Sequence, residues 1–168
     1  PVECDMASEF RYRDPVIDSN ALCIFVSQSG ETADTKAAVD YCRDRKIKTL
    51  SIVNVKNSSI ARDSDYCLYT KAGAEIGVAS TKAFTAQLSV LLSMAIHLAT
   101  LKKSITIDDN KKICKEVMQA TQLLEQAIER SYALKDVAKN ITTAKGVMYL
   151  GRGTSFPLAL EGALKFKE

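Results

Sequence analysis

One short run of hydroxyl, amide and glycine residues, Ser27-Gln28-Ser29-Gly30-Glu31-Thr32, has the composition of an anion-binding loop. It joins an apolar run, Ala21 to Val26, to a helical pattern, Glu31 to Arg45. Neutral donors at a helix N-terminus suit a phosphate group, because the free backbone N–H groups and the helix dipole both favour an anion there. The simpler interpretation is that Ser29 caps the helix, but a cap needs one hydroxyl and this loop offers three.

Two further loops follow predicted strands and hold weaker signals. Lys71 to Lys82 contains two glycines and several small residues before a helix, and Ser80 as an N-cap explains it adequately. Gly151-Arg152-Gly153-Thr154-Ser155 has two glycines of a dinucleotide-binding fingerprint, but Phe156 replaces the third. Neither loop alone predicts a ligand.

The last helical pattern places charged residues on one face. Glu161, Lys165 and Glu168 are separated by four and three positions, so they share a side of the helix. From the spacing alone, the favoured interpretation is an exposed ladder of ion pairs.

Metal and redox sites are not indicated. The five cysteines are scattered without a CxxC pair, which is typical of free thiols in a reducing compartment. His97 is the single histidine, so a histidine-based metal site is not expected, and we assign His97 to packing.

The alternation of apolar runs with helical patterns predicts the elements that carry these loops. Continuous apolar runs such as Ala21 to Val26 are typical of strands covered on both faces, so we predict an α/β fold, a three-layer sandwich with a mostly parallel sheet. The predicted strands are Val2–Ala7, Ala21–Val26, Lys48–Val55, Tyr66–Thr70 and Gly146–Leu150. The predicted helices are Glu31–Arg45, Ser80–Leu101, Asp108–Arg130, Tyr132–Asn140 and a final helix opened by Pro157.

Composition excludes several classes of protein. The 168 residues carry a net charge of +3, with 46% hydrophobic and 26% charged residues, which argues against disorder, collagen and coiled coil. The positive charge is spread along the chain, so nucleic-acid binding is not expected. Polar residues interrupt the most apolar stretch, Ala83 to Ala99, so a membrane span is not expected either.

The chain starts in strand-like sequence at Pro1 and stops inside a helical pattern, and we therefore expect a piece of a longer protein.

The motifs taken together resemble a known family. The first loop resembles the phosphate-binding signature of sugar isomerase (SIS) domains. The whole set resembles the isomerase half of the glutamine–fructose-6-phosphate aminotransferases (isomerizing), also called glucosamine-6-phosphate synthases, over essentially the entire chain. The segments that carry the resemblance are Ala7–Arg13, Ser27–Thr32, Glu75–Thr85, Leu150–Gly153 and Ala159–Glu168.

This resemblance implies an architecture of two SIS domains in tandem. Residues 1–141 would form the first domain without its opening strand, and residues 142–168 would supply the first strand and helix of the second. The remainder of the second domain and an N-terminal glutaminase domain would lie in other parts of the protein. A homodimer, a cytoplasmic location and no cofactor are also implied.

The resemblance further implies how the substrate is bound. Ser27, Gln28, Ser29 and Thr32 would bind the phosphate of fructose 6-phosphate or glucosamine 6-phosphate. The backbone of Val78 would contact the sugar.

Catalytic roles follow from the same resemblance. Glu168 would be the base that moves a proton between C1 and C2, and Lys165 would assist near the sugar hydroxyls. The family's ring-opening histidine does not correspond to His97 and would lie downstream, as would its Schiff-base lysine. We expect the chain by itself to have little synthase activity.

Two alternatives remain open from the sequence. One is another SIS enzyme that isomerises or deglycates sugar phosphates without a glutaminase domain. The other is a non-catalytic SIS module that senses a sugar phosphate and controls transcription or a kinase.

Overall fold

A computed structural model describes residues 2–77 and 80–167 of the chain. It divides into two compact units, Pro1–Met94 and Ala95–Glu168. The first unit contains α1 (Ala7–Phe10), a 3-10 turn (Arg11–Arg13), β1 (Leu22–Ser27), α2 (Ala33–Asp44), β2 (Lys48–Val53), α3 (Ser59–Asp63) and β3 (Tyr66–Tyr69). Helix α4 (Lys82–Leu101) runs from the first unit into the second, which also contains α5 (Ile107–Ser131), α6 (Leu134–Ile141) and α7 (Ser155–Lys167).

The three strands form one parallel sheet in the order β1-β2-β3. The register pairs Phe25 with Ser51 and Ser51 with Cys67, so the carboxyl ends of all three strands lie at one edge. This pairing confirms the predicted α/β class and its parallel sheet.

Helices α2 and α3 cover one face of this sheet. Phe25 and Val53 point into a core with Val39, Cys42 and Ile60, all of them at most 8% exposed. Burial raises the pKa of the Cys42 thiol to about 12, so this thiol stays protonated at neutral pH. The core fixes the strand ends from which the first loop leaves.

The opposite face of β1 is more open than predicted. Leu22, Ile24 and Val26 alternate with the core residues and are 39–50% exposed. The expectation that β1 is covered on both faces is therefore not met within the part of the chain that the structure describes. An apolar run indicates that a strand is to be buried, but the covering element has to come from elsewhere in the fold.

The predicted first strand, Val2 to Ala7, is wrong. This segment leads into α1 and the 3-10 turn, and Phe10 packs edge-on against Tyr41 with ring centroids 5.6 Å apart. A short run of apolar residues cannot distinguish a strand from a segment held by one aromatic contact.

Helix α4 is the most apolar of the long helices. By length and composition alone it could cross a membrane, with a mean hydropathy of 1.6. This is weak evidence for a membrane span, because a helix covered by another part of the protein shows the same length and composition. His97 lies exposed on α4, so its assignment to packing is not supported by the described chain.

The second unit has well-defined helices but little packing. Thr106 and Asp109 form a reciprocal capping box at the start of α5, in which each side chain accepts from the other residue's backbone N–H. None of its described residues, 95–167, is buried. The predicted strand Gly146–Leu150 is not formed, since none of the described strands pairs with it. The predicted boundary at residue 141 remains a prediction.

Candidate functional site

The loop predicted to bind phosphate, Ser27–Thr32 (the phosphate loop), leaves the carboxyl end of β1 and enters α2. Ser27 is the last residue of the strand and is buried, and Thr32 is the N-cap position of the helix. Open α/β folds usually bind their ligands at this edge, outside the carboxyl ends of the parallel strands. All four residues predicted to bind phosphate therefore lie in the single segment that joins β1 to α2.

Hydrogen bonds inside the phosphate loop bring its hydroxyls together. The Ser27 hydroxyl lies 3.1 Å from the Thr32 hydroxyl and accepts a hydrogen bond from the Gly30 N–H at 3.0 Å. The Ser29 hydroxyl accepts from the Glu31 N–H at 3.2 Å. Two hydroxyls at the ends of the loop thus face one another across it.

The simpler interpretation of Ser29, as a helix cap, is wrong. Helix α2 begins at Ala33, after Thr32, and no side chain caps it among the described residues. Ser29 closes a turn two residues earlier instead. The first N–H groups of α2 therefore keep their hydrogen-bonding capacity, together with the positive end of the helix dipole. An anion is the ligand that such an end favours.

Gly30 allows the phosphate loop to pack against α3. Its φ is +66°, a left-handed conformation, and a Cβ there would overlap the hydroxyl of Ser58. The Ser58 side chain is buried, and its hydroxyl has no hydrogen-bond partner within the described chain. The Gly30 carbonyl accepts from the Ile60 N–H at 3.0 Å. Only a residue without a side chain fits this approach.

Glu31 joins the phosphate loop to the same short helix. Its carboxylate accepts from the Ser59 N–H at 2.8 Å. This backbone hydrogen bond is the main cause that lowers the pKa of Glu31. Glu31 is thus a structural carboxylate that holds the loop rather than a group directed at a ligand.

The second loop, Lys71–Lys82, follows β3 at the same edge of the sheet. Sequence reasoning assigned the cap of α4 to Ser80, and this is wrong. The Glu75 carboxylate accepts from the backbone N–H groups of Thr81 at 3.2 Å and Ala83 at 3.0 Å. Val78, the predicted sugar contact, lies outside the described residues.

Asn54 connects the two loops, and sequence reasoning missed it. Its backbone N–H donates to the Gln28 carbonyl at 3.0 Å. Its side chain makes two hydrogen bonds to the start of the second loop, at Ala72 and Gly73, and a third to Thr70, the residue before that loop. The available signal was a short polar side chain immediately after the central strand, at the edge where ligands bind.

Of the two predicted catalytic residues, Lys165 lies on α7 in the second unit. Lys165 forms an ion pair with Glu161 at 2.8 Å, and both side chains are partly buried. Glu168, the predicted base, lies outside the described residues. Within residues 2–77 and 80–167, no three carboxylate, thiol or imidazole side chains cluster as a metal site would require.

Known proteins match both the sequence and the fold. Residues 1–97 match the SIS domain family. The chain is 48% identical over 167 residues to the glutamine–fructose-6-phosphate aminotransferase (isomerizing) of Bartonella henselae, and 49% identical over 168 residues to that of Bradyrhizobium diazoefficiens. The matched region covers 99–100% of this chain but only 28% of each relative's length.

A solved structure extends this similarity to the fold. The C-terminal domain of the glucosamine-fructose-6-phosphate aminotransferase from Francisella tularensis superposes with a TM-score of 0.93 and 41% identity. The match covers 98% of this chain and 47% of that one. The chain belongs to the SIS domain family, and along its whole length it is similar to one segment of the glutamine–fructose-6-phosphate aminotransferases.

Proposed function

We propose that this chain is part of the isomerase module of an enzyme that makes glucosamine 6-phosphate from fructose 6-phosphate and glutamine-derived ammonia. The observation that carries the proposal is the phosphate loop, in which two hydroxyls 3.1 Å apart lie before an uncapped helix N-terminus. The similarity of about 48% over the whole chain favours this enzyme over the other two classes of SIS protein.

The phosphate loop supplies binding energy away from the reacting carbons. Ser27, Gln28, Ser29 and Thr32 would donate to the phosphate oxygens, together with the first N–H groups of α2. Binding energy from such a remote group orients the sugar, and orientation lowers the barrier of the chemical step.

The reaction itself requires a proton transfer between adjacent carbons. In this proposal Glu168 removes a proton at C1 and returns it at C2, which converts a ketose derivative into an aldose through an enolamine-like intermediate. The Lys165 ammonium stabilises negative charge that develops on the sugar oxygens. A homodimer and a glutaminase domain in the same protein belong to the proposal, because the ammonia source and the remaining catalytic groups have to come from other segments.

A combined assay and binding experiment tests the proposal in the full-length protein. The wild-type protein should form glucosamine 6-phosphate from fructose 6-phosphate and glutamine. Ser29→Ala/Thr32→Ala should weaken fructose 6-phosphate binding by up to about a hundredfold, since each neutral hydrogen bond contributes about 1–1.5 kcal/mol.

The control is Ser104→Ala, which removes an exposed hydroxyl from the connection between α4 and α5. It should bind the sugar phosphate like the wild type. Unchanged binding by the double variant would refute the phosphate site. Phosphate binding without glucosamine 6-phosphate formation would instead support another SIS isomerase or a sensor.

A further inference from the structure

We infer that Asn54 is a positioning residue that couples the phosphate loop to the second loop. Its side-chain amide fixes the position of the second loop relative to the phosphate loop. The inference rests on the proposed function, because it concerns how two loops of that site hold one sugar phosphate. It adds a residue that touches neither the phosphate nor the sugar in the proposal above.

The connection to the phosphate loop runs through the backbone. Asn54 is the first residue after β2, the central strand, and its N–H donates to the carbonyl of Gln28 at 3.0 Å. Gln28 is one of the four proposed phosphate-binding residues. The position of its backbone is therefore tied to the end of the central strand.

The connection to the second loop runs through the side chain. The Asn54 amide oxygen accepts from the Thr70 hydroxyl at 3.0 Å and from the Ala72 N–H at 2.8 Å. The amide nitrogen donates to the Gly73 carbonyl at 2.7 Å. The asparagine amide can accept two hydrogen bonds through its oxygen and donate one through its nitrogen. An aspartate of the same length could accept both but could not donate to the Gly73 carbonyl.

The start of the second loop depends on these bonds for its shape. Lys71 has a φ of +54° and Gly73 a φ of +73°, so two left-handed residues flank Ala72. Within the described residues, the hydrogen bonds to Ala72 and Gly73 come from Asn54 alone. Left-handed backbone persists where surrounding contacts determine it, and here one side chain supplies those contacts.

The far end of the second loop is fixed independently. Glu75 holds it against the first turn of α4 through the N–H groups of Thr81 and Ala83. Asn54 thus fixes the near end of the loop relative to the phosphate loop, and Glu75 fixes the far end relative to α4. A ligand that contacts both loops depends on this register, whereas a bare phosphate on the first loop does not.

The test compares two ligands on the full-length protein. Asn54→Ala should weaken fructose 6-phosphate binding roughly tenfold, while inorganic phosphate binding changes by less than about threefold. Asn20→Ala, in an exposed turn before β1, is the matched control and should change neither. Equal weakening of both ligands, or an unchanged affinity for fructose 6-phosphate, would overturn the inference.

Amide hydrogen exchange separates this inference from the proposed function. In ligand-free wild-type protein the Ala72 N–H should exchange slowly, and Asn54→Ala should remove that protection. Asn54→Asp keeps both acceptor bonds and should retain it. Asn54→Leu keeps the side-chain volume without either bond and should lose it, so it replaces the alanine variant if that variant fails to fold. If the wild type binds no fructose 6-phosphate, the proposed function fails. If Ala72 is equally protected in all of these proteins, the role of Asn54 fails.

Discussion

The two units differ in how they hold the residues of interest. In the first unit, the phosphate loop follows a strand of a parallel sheet that has a buried apolar core on one face. In the second unit, Lys165 lies on α7, and none of the described residues of that unit is buried. The first arrangement fixes its loop from both ends, through β1 and α2. The second fixes its charged residues by a single ion pair along one helix. The comparison shows that the loop proposed to bind phosphate is held by a packed core, whereas Lys165, the proposed catalytic residue that the structure describes, lies in a unit without buried residues among those described.

The largest effect that this comparison predicts is on catalysis by the 168-residue chain alone. Its turnover with fructose 6-phosphate and either glutamine or ammonia should be more than about tenfold below that of the full-length protein, since lost positioning can cost several kcal/mol of barrier. A coupled assay for glucosamine 6-phosphate measures it. Turnover within tenfold of the full-length protein would show that the catalytic residues are misassigned.

The next largest effect is expected at Gly30. Gly30→Ala should destabilise the protein by about 2–4 kcal/mol, because it adds a left-handed strain of about 1–2 kcal/mol and a clash with Ser58. Urea unfolding of the variant measures the change.

The matched variant Gly30→Ala/Ser58→Gly separates the two causes. Removing the Ser58 side chain should relieve the clash and leave the left-handed strain. No recovery in the double variant would mean that the close approach to Ser58 is unimportant.

The contrast between the units can be measured directly by truncating one apolar side chain in each. Val39→Ala removes methyl groups from the closed core and should cost about 2 kcal/mol in the 168-residue chain and in the full-length protein. Leu124→Ala, on α5 and 54% exposed, should cost less than about 0.5 kcal/mol in the 168-residue chain.

The same Leu124 variant tests whether the second unit gains a covering in the full-length protein. A larger loss of stability there than in the 168-residue chain is expected if other segments bury α5. Equal small losses in both proteins would show that the open helix face is the native state.

The smallest predicted effect concerns the acid end of the pH range. The Thr81 N–H, with the Ala83 N–H, lowers the pKa of Glu75 below its ordinary value of 4.5. The depressed value means that the carboxylate stabilises the start of α4 above pH 4.5 and loses this effect as the pH falls through the lowered pKa. Exchange of the Ala83 N–H should therefore accelerate in that window. Glu75→Gln should abolish the acceleration, and its persistence would contradict the assignment.

Sequence reasoning succeeded where the determining contacts are local. The apolar run ending at Val26, the loop after it and the helical pattern from Glu31 to Arg45 predict the bounds of β1 and α2, and with them the loop between, to within two residues. These elements pack on neighbours in sequence, so the pattern carries enough information.

It failed where the partner lies elsewhere in the chain. Gly146–Leu150 has a strand composition but needs a neighbouring strand, and a sequence pattern does not specify one. The predicted helix caps were wrong for a similar reason. Ser29 and Ser80 are residue types that favour the N-cap, but Ser29 closes a turn before α2. The start of α4 is instead held by the carboxylate of Glu75, several residues earlier in the chain. Asn54 was missed because its partners at Gln28 and Gly73 are brought close only by the sheet.

The capping box of α5 has a consequence for the order of folding during synthesis. Thr106 and Asp109 satisfy the first N–H groups of a 25-residue helix from within its own first turn. Helix formation takes about a microsecond, whereas the ribosome adds roughly 5–20 residues each second. Helix α5 can therefore form as soon as it emerges, well before any later segment is made. For that interval apolar side chains of α5 such as Leu124 and Ile128, which are more than half exposed in the structure, are open to contact with other chains.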